Sequence, residues 1–210
     1  MKALLYGNCQ MSVLANWLKK HMDLVKPSHY SEDVKHDWEQ NIFFPVSFKD
    51  KSEILSQAIH DCDLFLFHHT NNTEFIQSKT LYDACDKQKA CITTFYFDAY
   101  YEAKNGLIKL EESVLLNIKK LKHRHLVHKS LYGEDCIDMS GWIEENWEKK
   151  FITSEVRHPT HFYYRELSKR ISDRFFLSEN IGLIPQDIKT HKDTNENFLD
   201  LRKLLPQIKK

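Results

Sequence analysis

Residues 2–10 read Lys-Ala-Leu-Leu-Tyr-Gly-Asn-Cys-Gln, and this stretch indicates the class of fold. Its apolar part, residues 2–6, is typical of a short buried strand, and Gly7 permits the sharp turn that follows. Residues 11–22 then carry apolar side chains at helical spacing. A strand, a tight turn and a helix in this order form the basic unit of an α/β fold.

The same alternation continues through the first half of the chain. Three further strands are predicted at residues 42–48 (IFFPVSF), 62–67 (CDLFLF) and 90–97 (ACITTFYF). Helices are predicted between them, one capped by Ser52 and another over residues 74–87. Pro45 removes a ladder hydrogen bond, so we expect its strand to lie at a sheet edge. The order βαβαβαβ predicts a parallel sheet with helices on both faces.

The second half of the chain has mostly helical patterns. Helices are predicted over residues 106–122, 141–151, 160–177 and 197–208. In the first of these, the expected apolar face includes Leu107 and Leu115. We expect one α/β domain over residues 1–185, then a polar linker and a C-terminal amphipathic helix over residues 186–210. The oligomeric state stays open, because this terminal helix could pack within one chain or on a second subunit.

Composition and charge exclude several functional classes. The 210 residues include 30 lysines and arginines against 30 aspartates and glutamates, and this zero net charge disfavours a general nucleic-acid-binding protein. No apolar run approaches the roughly 18 residues that a membrane-spanning helix needs. Residues 1–10 lack the apolar stretch of a signal peptide, so we expect a cytoplasmic protein. The five cysteines are odd in number and form no CxxC pair, which predicts reduced thiols.

The turn Gly7-Asn8-Cys9-Gln10 is the first group of residues that could carry chemistry. In a parallel α/β sheet, ligands bind at the carboxyl ends of the strands, where this turn lies. Cys9 would face the positive end of a helix dipole, which favours the nucleophilic thiolate over the thiol. Backbone N–H groups of the turn could hold an oxyanion. The alternative is a small buried cysteine in an ordinary turn.

The second group is Glu155-Val156-Arg157-His158-Pro159, which offers a base and an orienting carboxylate. Glu155 could accept a hydrogen bond from one imidazole nitrogen of His158 while the other nitrogen faces Cys9. Pro159 restricts His158 to an extended conformation and suits the start of a helix. The alternative is a solvent-exposed histidine before a helix. His161 is the alternative base.

Together the two groups resemble the layout of the SGNH hydrolase superfamily. In that superfamily a nucleophile follows the first strand, and an acidic residue three positions before a histidine comes late in the chain. The wording Gly7-Asn8-Cys9-Gln10, with cysteine in place of serine, resembles the WcbI-like family of polysaccharide-biosynthesis acetyltransferases. The resemblance rests on the first ten residues, on residues 62–72 and on residues 155–159.

The resemblance implies an SGNH- or flavodoxin-like three-layer fold and a set of site residues. Cys9 would be the nucleophile, His158 the base and Glu155 its orienting group. Asn71, with Asn72 behind it, would donate to the oxyanion. Three departures put simple ester hydrolysis in doubt: the nucleophile is cysteine, the carboxylate is glutamate, and residues 40–60 contain no glycine.

The family also implies coenzyme A or acetyl-CoA as co-substrate and a saccharide acceptor, as in capsule biosynthesis. A basic run could hold the phosphates of coenzyme A, although a solvated helix face explains it as well. The run comprises Lys119, Lys120, Lys122, His123, Arg124, His125, His128 and Lys129. Its histidines fall on different sides of a helix without a completing carboxylate or thiol, so we expect no metal.

Other side chains could line the pocket. His68 and His69 follow a strand end and should point in opposite directions, so one of them could face the site. Tyr96 and Asp98 lie at the end of the fourth predicted strand and form a candidate substrate wall. Core packing would explain some of the residues at this strand end equally well.

Three functions remain open from the sequence. The first is an acyltransferase with a Cys-His-Glu arrangement. The second is an SGNH-type esterase or thioesterase with a cysteine nucleophile, which would use the same residues. The third is a non-catalytic module that binds a glycan or a partner protein, which the missing glycine in residues 40–60 favours.

Overall fold

The computed structural model describes residues 3–18, 43–47, 53–148, 152–155 and 158–175. The strands in these ranges are β1 (Ala3–Gly7), β2 (Phe43–Ser47), β3 (Leu64–Phe67), β4 (Gln88–Ile92), β5 (Cys136–Ile137), β6 (Thr153–Glu155) and β7 (His158–Pro159). The helices are α1 (Cys9–Leu18), α2 (Glu53–Asp61), α3 (Ser78–Ala84), α4 (Ala99–Lys104), α5 (Leu110–Tyr132), α6 (Ser140–Asn146) and α7 (His161–Phe175).

Five strands form a parallel sheet in the order β2-β1-β3-β4-β5, which is the flavodoxin-like order. The fold is therefore the α/β class that the strand pattern predicts. β2 lies at one edge, and its Pro45 pairs in register with Leu5. The expected edge position of this strand is confirmed.

Helices cover both faces of the sheet because the strands bury side chains on both sides. Leu5 of β1 belongs to a core with side chains of α1, α5, α6 and α7. Leu4 belongs to a second core with side chains of α2 and α3. Every residue of β1 is buried, as expected for a central parallel strand. This gives the three layers of the predicted architecture.

Several boundaries differ from the predictions. β4 ends at Ile92, and residues 93–97 run on outside the ladder, because the neighbouring strand β5 is only two residues long. α5 begins later and ends later than residues 106–122, closing at Gly133, whose φ of 61° suits glycine. Its predicted apolar face is wrong at Leu107 and Leu115, which are 72% and 54% exposed.

The sequence patterns did not predict α4, β5 or the small antiparallel pair β6-β7. These elements are short, and their pairing depends on distant segments rather than on a local period. The predicted segments 186–196 and 197–208, the boundary at residue 185 and the cap at Ser52 lie outside the described residues. Among the helices that are described, none is both long and apolar enough to cross a membrane.

Candidate active site

The strand order places the turn after β1 at the switch point of the sheet. β1 pairs with β2 on one side and with β3 on the other. The direction in which successive strands are added to the sheet therefore reverses between β1 and β3. In open α/β sheets, ligands bind outside the carboxyl ends of the strands at this point. Cys9 is the first residue of α1, directly after β1, and its side chain is exposed. The alternative of a buried cysteine does not hold.

Asn8 caps the helix that begins at Cys9. Its Oδ1 accepts the Gln10 N–H at 3.0 Å, and its carbonyl accepts the Met11 N–H at 2.9 Å. The Cys9 N–H takes part in neither bond. Because Cys9 is the first residue of α1, the positive end of the helix dipole lies at this turn. The binding of an oxyanion by its backbone N–H groups stays a prediction.

Gln10 joins α1 to the segment that follows β4. Its Nε2 donates to the Phe95 carbonyl at 2.8 Å, and its Oε1 accepts the Phe95 N–H at 3.2 Å. Gln10 is buried, and this pair of bonds imitates a strand ladder where β4 has ended. Both ends of its amide group thus bond to the core, although the sequence grouped Gln10 with the turn residues that could serve an oxyanion.

His158 meets Cys9 at this edge of the sheet. Its Nε2 lies 3.8 Å from the Cys9 Sγ, across 149 residues of sequence. This distance is within reach of a hydrogen bond that involves sulfur, and free enzymes often hold such pairs more loosely than their complexes. The backbone of His158 is held in the β6-β7 pair, where its carbonyl accepts the Thr153 hydroxyl at 3.0 Å.

Two other predicted residues lie near His158 along the chain. The backbone of Glu155 is in register with His158 in the β6-β7 pair, while its side chain lies outside the described part of the structure. The orienting role of Glu155 thus stays a prediction. His161 begins α7, and its ring packs on Phe162 with ring centroids 3.9 Å apart.

Tyr164, which the sequence did not single out, interacts electrostatically with Cys9. It lies on α7 and is 2% exposed. Burial, with smaller contributions from Tyr163 and Cys9, raises the pKa of its phenol well above the usual value. Its hydroxyl therefore stays protonated near Cys9. Its position in the helix that starts after Pro159 is the only signal that could have identified it.

His68 and His69, which follow β3, have different surroundings. His68 is buried against Gly7, and burial together with the nearby His128 lowers its pKa to about 3. It is therefore neutral at physiological pH. His69 is half-buried, with Nδ1 2.8 Å from the Tyr132 hydroxyl, and burial lowers its pKa.

Asn71 and Asn72 lie in the exposed turn after β3. The Asn72 Oδ1 accepts the Glu74 N–H at 3.0 Å, so this side chain shapes its own turn. Within the described ranges, no recorded contact joins either asparagine to Cys9. Their donation to an oxyanion stays a prediction.

The structure brings two predicted features together in one cavity. Tyr96 and Asp98, the candidate substrate wall, line a cavity of about 320 Å³ together with Lys120 and Arg124 of the basic run and with Asn117. Asn117 was not singled out by the sequence. Among the residues that the structure describes, no group of three or more histidine, cysteine, aspartate and glutamate side chains could hold a metal ion.

Comparison with known proteins gives one similar structure. No family model and no curated protein sequence matches the chain. A structure of WcbI, a polysaccharide biosynthesis enzyme, superimposes with a TM-score of 0.63 over 89% of this chain and 73% of that one. The two chains share a fold. Their sequences are 15% identical, and the WcbI structure is described as native protein without a disulfide bond between coenzyme A and a cysteine. The likeness concerns WcbI, and the SGNH-like relationship stays a prediction.

Proposed function

We propose that this protein is an acyltransferase that moves an acyl group from a coenzyme A thioester to a saccharide hydroxyl in surface polysaccharide biosynthesis. The observation that carries the proposal is the 3.8 Å approach of the Cys9 Sγ and the His158 Nε2 at the switch point of the sheet. The fold shared with WcbI supports the same class of substrates.

The chemistry follows from the pair. His158 takes the proton of the Cys9 thiol, and the thiolate attacks the thioester carbonyl. The tetrahedral intermediate collapses, the thiol of coenzyme A leaves with the proton from His158, and an acyl-Cys9 remains. A saccharide hydroxyl then attacks this acyl group while His158 takes its proton, which returns to Cys9. A direct transfer without an acyl-enzyme is the alternative mechanism. In it, His158 activates the saccharide hydroxyl for attack on the thioester, and Cys9 only shapes the site.

An esterase or thioesterase would use the same pair with water as the acceptor. The exposure of Cys9 favours this second candidate, because water can reach an acyl group bound there. The two activities differ in their products. A transferase forms an acylated saccharide, whereas a hydrolase releases free acid without any acceptor.

The first test measures ligand binding and thiol reactivity together. Coenzyme A at 100 times its Kd should stabilise the fold by about 2.7 kcal/mol, which raises the Tm by several degrees. Iodoacetamide should modify Cys9 before the other four cysteines, because Cys9 alone is exposed while Cys62, Cys85 and Cys91 are buried. That modification should remove acyl transfer.

Variants then separate the mechanisms. Cys9→Ala and His158→Ala should lose at least a hundredfold in kcat and keep the Tm shift with coenzyme A. His60→Ala is the matched control, since His60 is exposed in the last turn of α2. Full activity of Cys9→Ala with an inactive His158→Ala would indicate direct transfer. Full activity of both variants, or no Tm shift with millimolar coenzyme A, would contradict the proposal.

A further inference from the structure

The cavity lined by Tyr96 and Asp98 is connected to the candidate active site. The connection consists of the chain segment before Tyr96 and the hydrogen bonds of that segment. Phe95, which precedes Tyr96, is bonded on both backbone groups by Gln10, the neighbour of Cys9. On its other side, the Thr94 carbonyl accepts a hydrogen bond from the Arg124 Nη1 at 3.1 Å. The segment 94–98 therefore connects the helix that bears Cys9 to the cavity.

The two cations of the cavity, Lys120 and Arg124, differ from Lys122 and Lys129 on the same helix. Lys122 pairs with Glu144 at 2.6 Å and Lys129 pairs with Glu134 at 2.8 Å. In the described part of the chain, neither Lys120 nor Arg124 forms an ion pair within 4 Å. They lie one helical turn apart, so both can reach the same group in the cavity. Two cations beside the single carboxylate of Asp98 leave the cavity with an excess of positive charge, which favours an anionic ligand.

Arg124 is held in place before any ligand arrives. Its guanidinium lies 4.8 Å from the centroid of the Tyr96 ring and bonds to the Thr94 carbonyl. It is half-buried, and burial lowers its pKa, although the group stays charged. A guanidinium carries five N–H donors, so this one bond leaves donors for a phosphate or carboxylate.

Asp98 places a carboxylate in the same cavity. The Asp98 backbone N–H donates to the Asn117 Oδ1 at 2.9 Å, and the Asn117 Nδ2 donates to the Ser113 carbonyl at 2.9 Å. Asn117 is buried, so it fixes the position of Asp98. A carboxylate in such a position accepts hydrogen bonds from hydroxyl groups, and the Tyr96 ring adds an aromatic surface. With Lys120 and Arg124, the cavity carries one excess positive charge.

We propose that this cavity binds a hydroxylated group that bears one anionic substituent, a phosphate or a carboxylate, as part of a larger substrate. Its volume of about 320 Å³ is at the low end for ligand pockets, so it suits one sugar ring rather than a whole nucleotide. The inference rests on the proposed function only for the two substrates that could carry the anion: the phosphorylated ribose of coenzyme A, or an acidic acceptor sugar.

The test compares paired ligands by calorimetry on the full chain. Coenzyme A is compared with dephospho-coenzyme A, and methyl glucuronide is compared with methyl glucoside. Lys120→Ala should weaken the preferred anionic ligand about ten- to a hundredfold, because a charge-assisted contact is lost. Lys109→Ala is the matched control, being exposed at the start of α5 outside the cavity, and should change each Kd less than twofold.

Arg124→Lys serves as the second variant because it keeps the charge and loses the planar fork. It should weaken the same ligand, with a Tm close to wild type showing that the fold is kept. A preference for coenzyme A that disappears in both variants identifies the phosphate. A preference for methyl glucuronide that disappears in both variants identifies the carboxylate. That result supports the proposal even if coenzyme A does not bind and acyl transfer fails.

Two results overturn the proposal. In the first, the Kd values for all ligands change no more in Lys120→Ala and Arg124→Lys than in the control Lys109→Ala, even if acyl transfer proceeds. The other is the absence of binding of both anionic ligands to the wild-type protein at millimolar concentration.

Discussion

Gly7 shows at the residue scale why the turn after β1 has its sequence. A Cβ atom at this position would lie 2.5 Å from the Met11 Cγ and 2.9 Å from the His68 Nδ1. Both neighbours are almost fully buried, at 1% and 2% exposure, so neither can move away cheaply. Gly7 is therefore required by close packing, and its φ is not in the left-handed region.

Gly7→Ala should destabilise the protein by about 1–3 kcal/mol, because the added methyl group overpacks a filled site. Urea unfolding would measure the change. Gly141→Ala is the control: Gly141 lies in α6 and a Cβ there meets no heavy atom within 4 Å. It should be neutral or stabilise by up to about 1 kcal/mol. Equal effects of the two substitutions would contradict the packing argument.

At the scale of elements, the connection between α1 and the segment after β4 compensates for a short neighbouring strand. β5 supplies only two residues, so β4 loses its ladder partner after Ile92. The chain nevertheless stays buried from residue 93 to 95. Buried backbone groups need hydrogen-bond partners, and the amide of Gln10 supplies both partners for Phe95.

Gln10→Met should lower the free energy of unfolding by about 2 kcal/mol or more. The volume is nearly kept, but the Phe95 N–H and carbonyl lose their partners in a buried position. Chemical unfolding of Gln88→Met provides the comparison, because Gln88 is exposed in β4. A Gln10→Met variant as stable as Gln88→Met would show that these two bonds contribute nothing.

For the molecule as a whole, buried neutral histidines make stability depend on pH. Burial, with the nearby His128, lowers the pKa of His68 to about 3. Burial, with the charges of His69, Arg124 and His125, lowers the pKa of His128 to about 4. In the unfolded chain both would titrate near 6.5. Below pH 6.5 the unfolded state binds protons that the folded state does not bind, so acid favours unfolding.

The free energy of unfolding should therefore keep its full contribution from these two histidines above pH 6.5. It should fall as the pH drops toward 4. Between pH 7 and pH 5, each of the two histidines should cost about 2 kcal/mol. Unfolding in urea at several pH values measures the slope. His128→Gln should reduce the slope by about half of the part due to these two groups, whereas exposed His123→Gln should leave it unchanged. An identical slope in wild type and His128→Gln would refute this assignment.

The sequence by itself determined the features that depend on local order. The apolar run of β1 followed by Gly7 predicts a strand and a turn, because strand and turn preferences act over a few residues. Pro45 predicts an edge strand, because a missing N–H is a property of the residue itself. The alternation of strands and helices predicts a parallel sheet for the same reason. Cys9 and His158 could be named from their immediate neighbours.

Only the tertiary structure decided which distant residues meet. The contact between Cys9 and His158 spans 149 residues, and no local pattern encodes it. The cavity joins residues after β4 to residues within α5, and the end of β4 depends on how far β5 extends beside it. Such features arise from packing between elements, because a side chain's partner there is set by how the sheet and helices assemble, not by its neighbours in the chain.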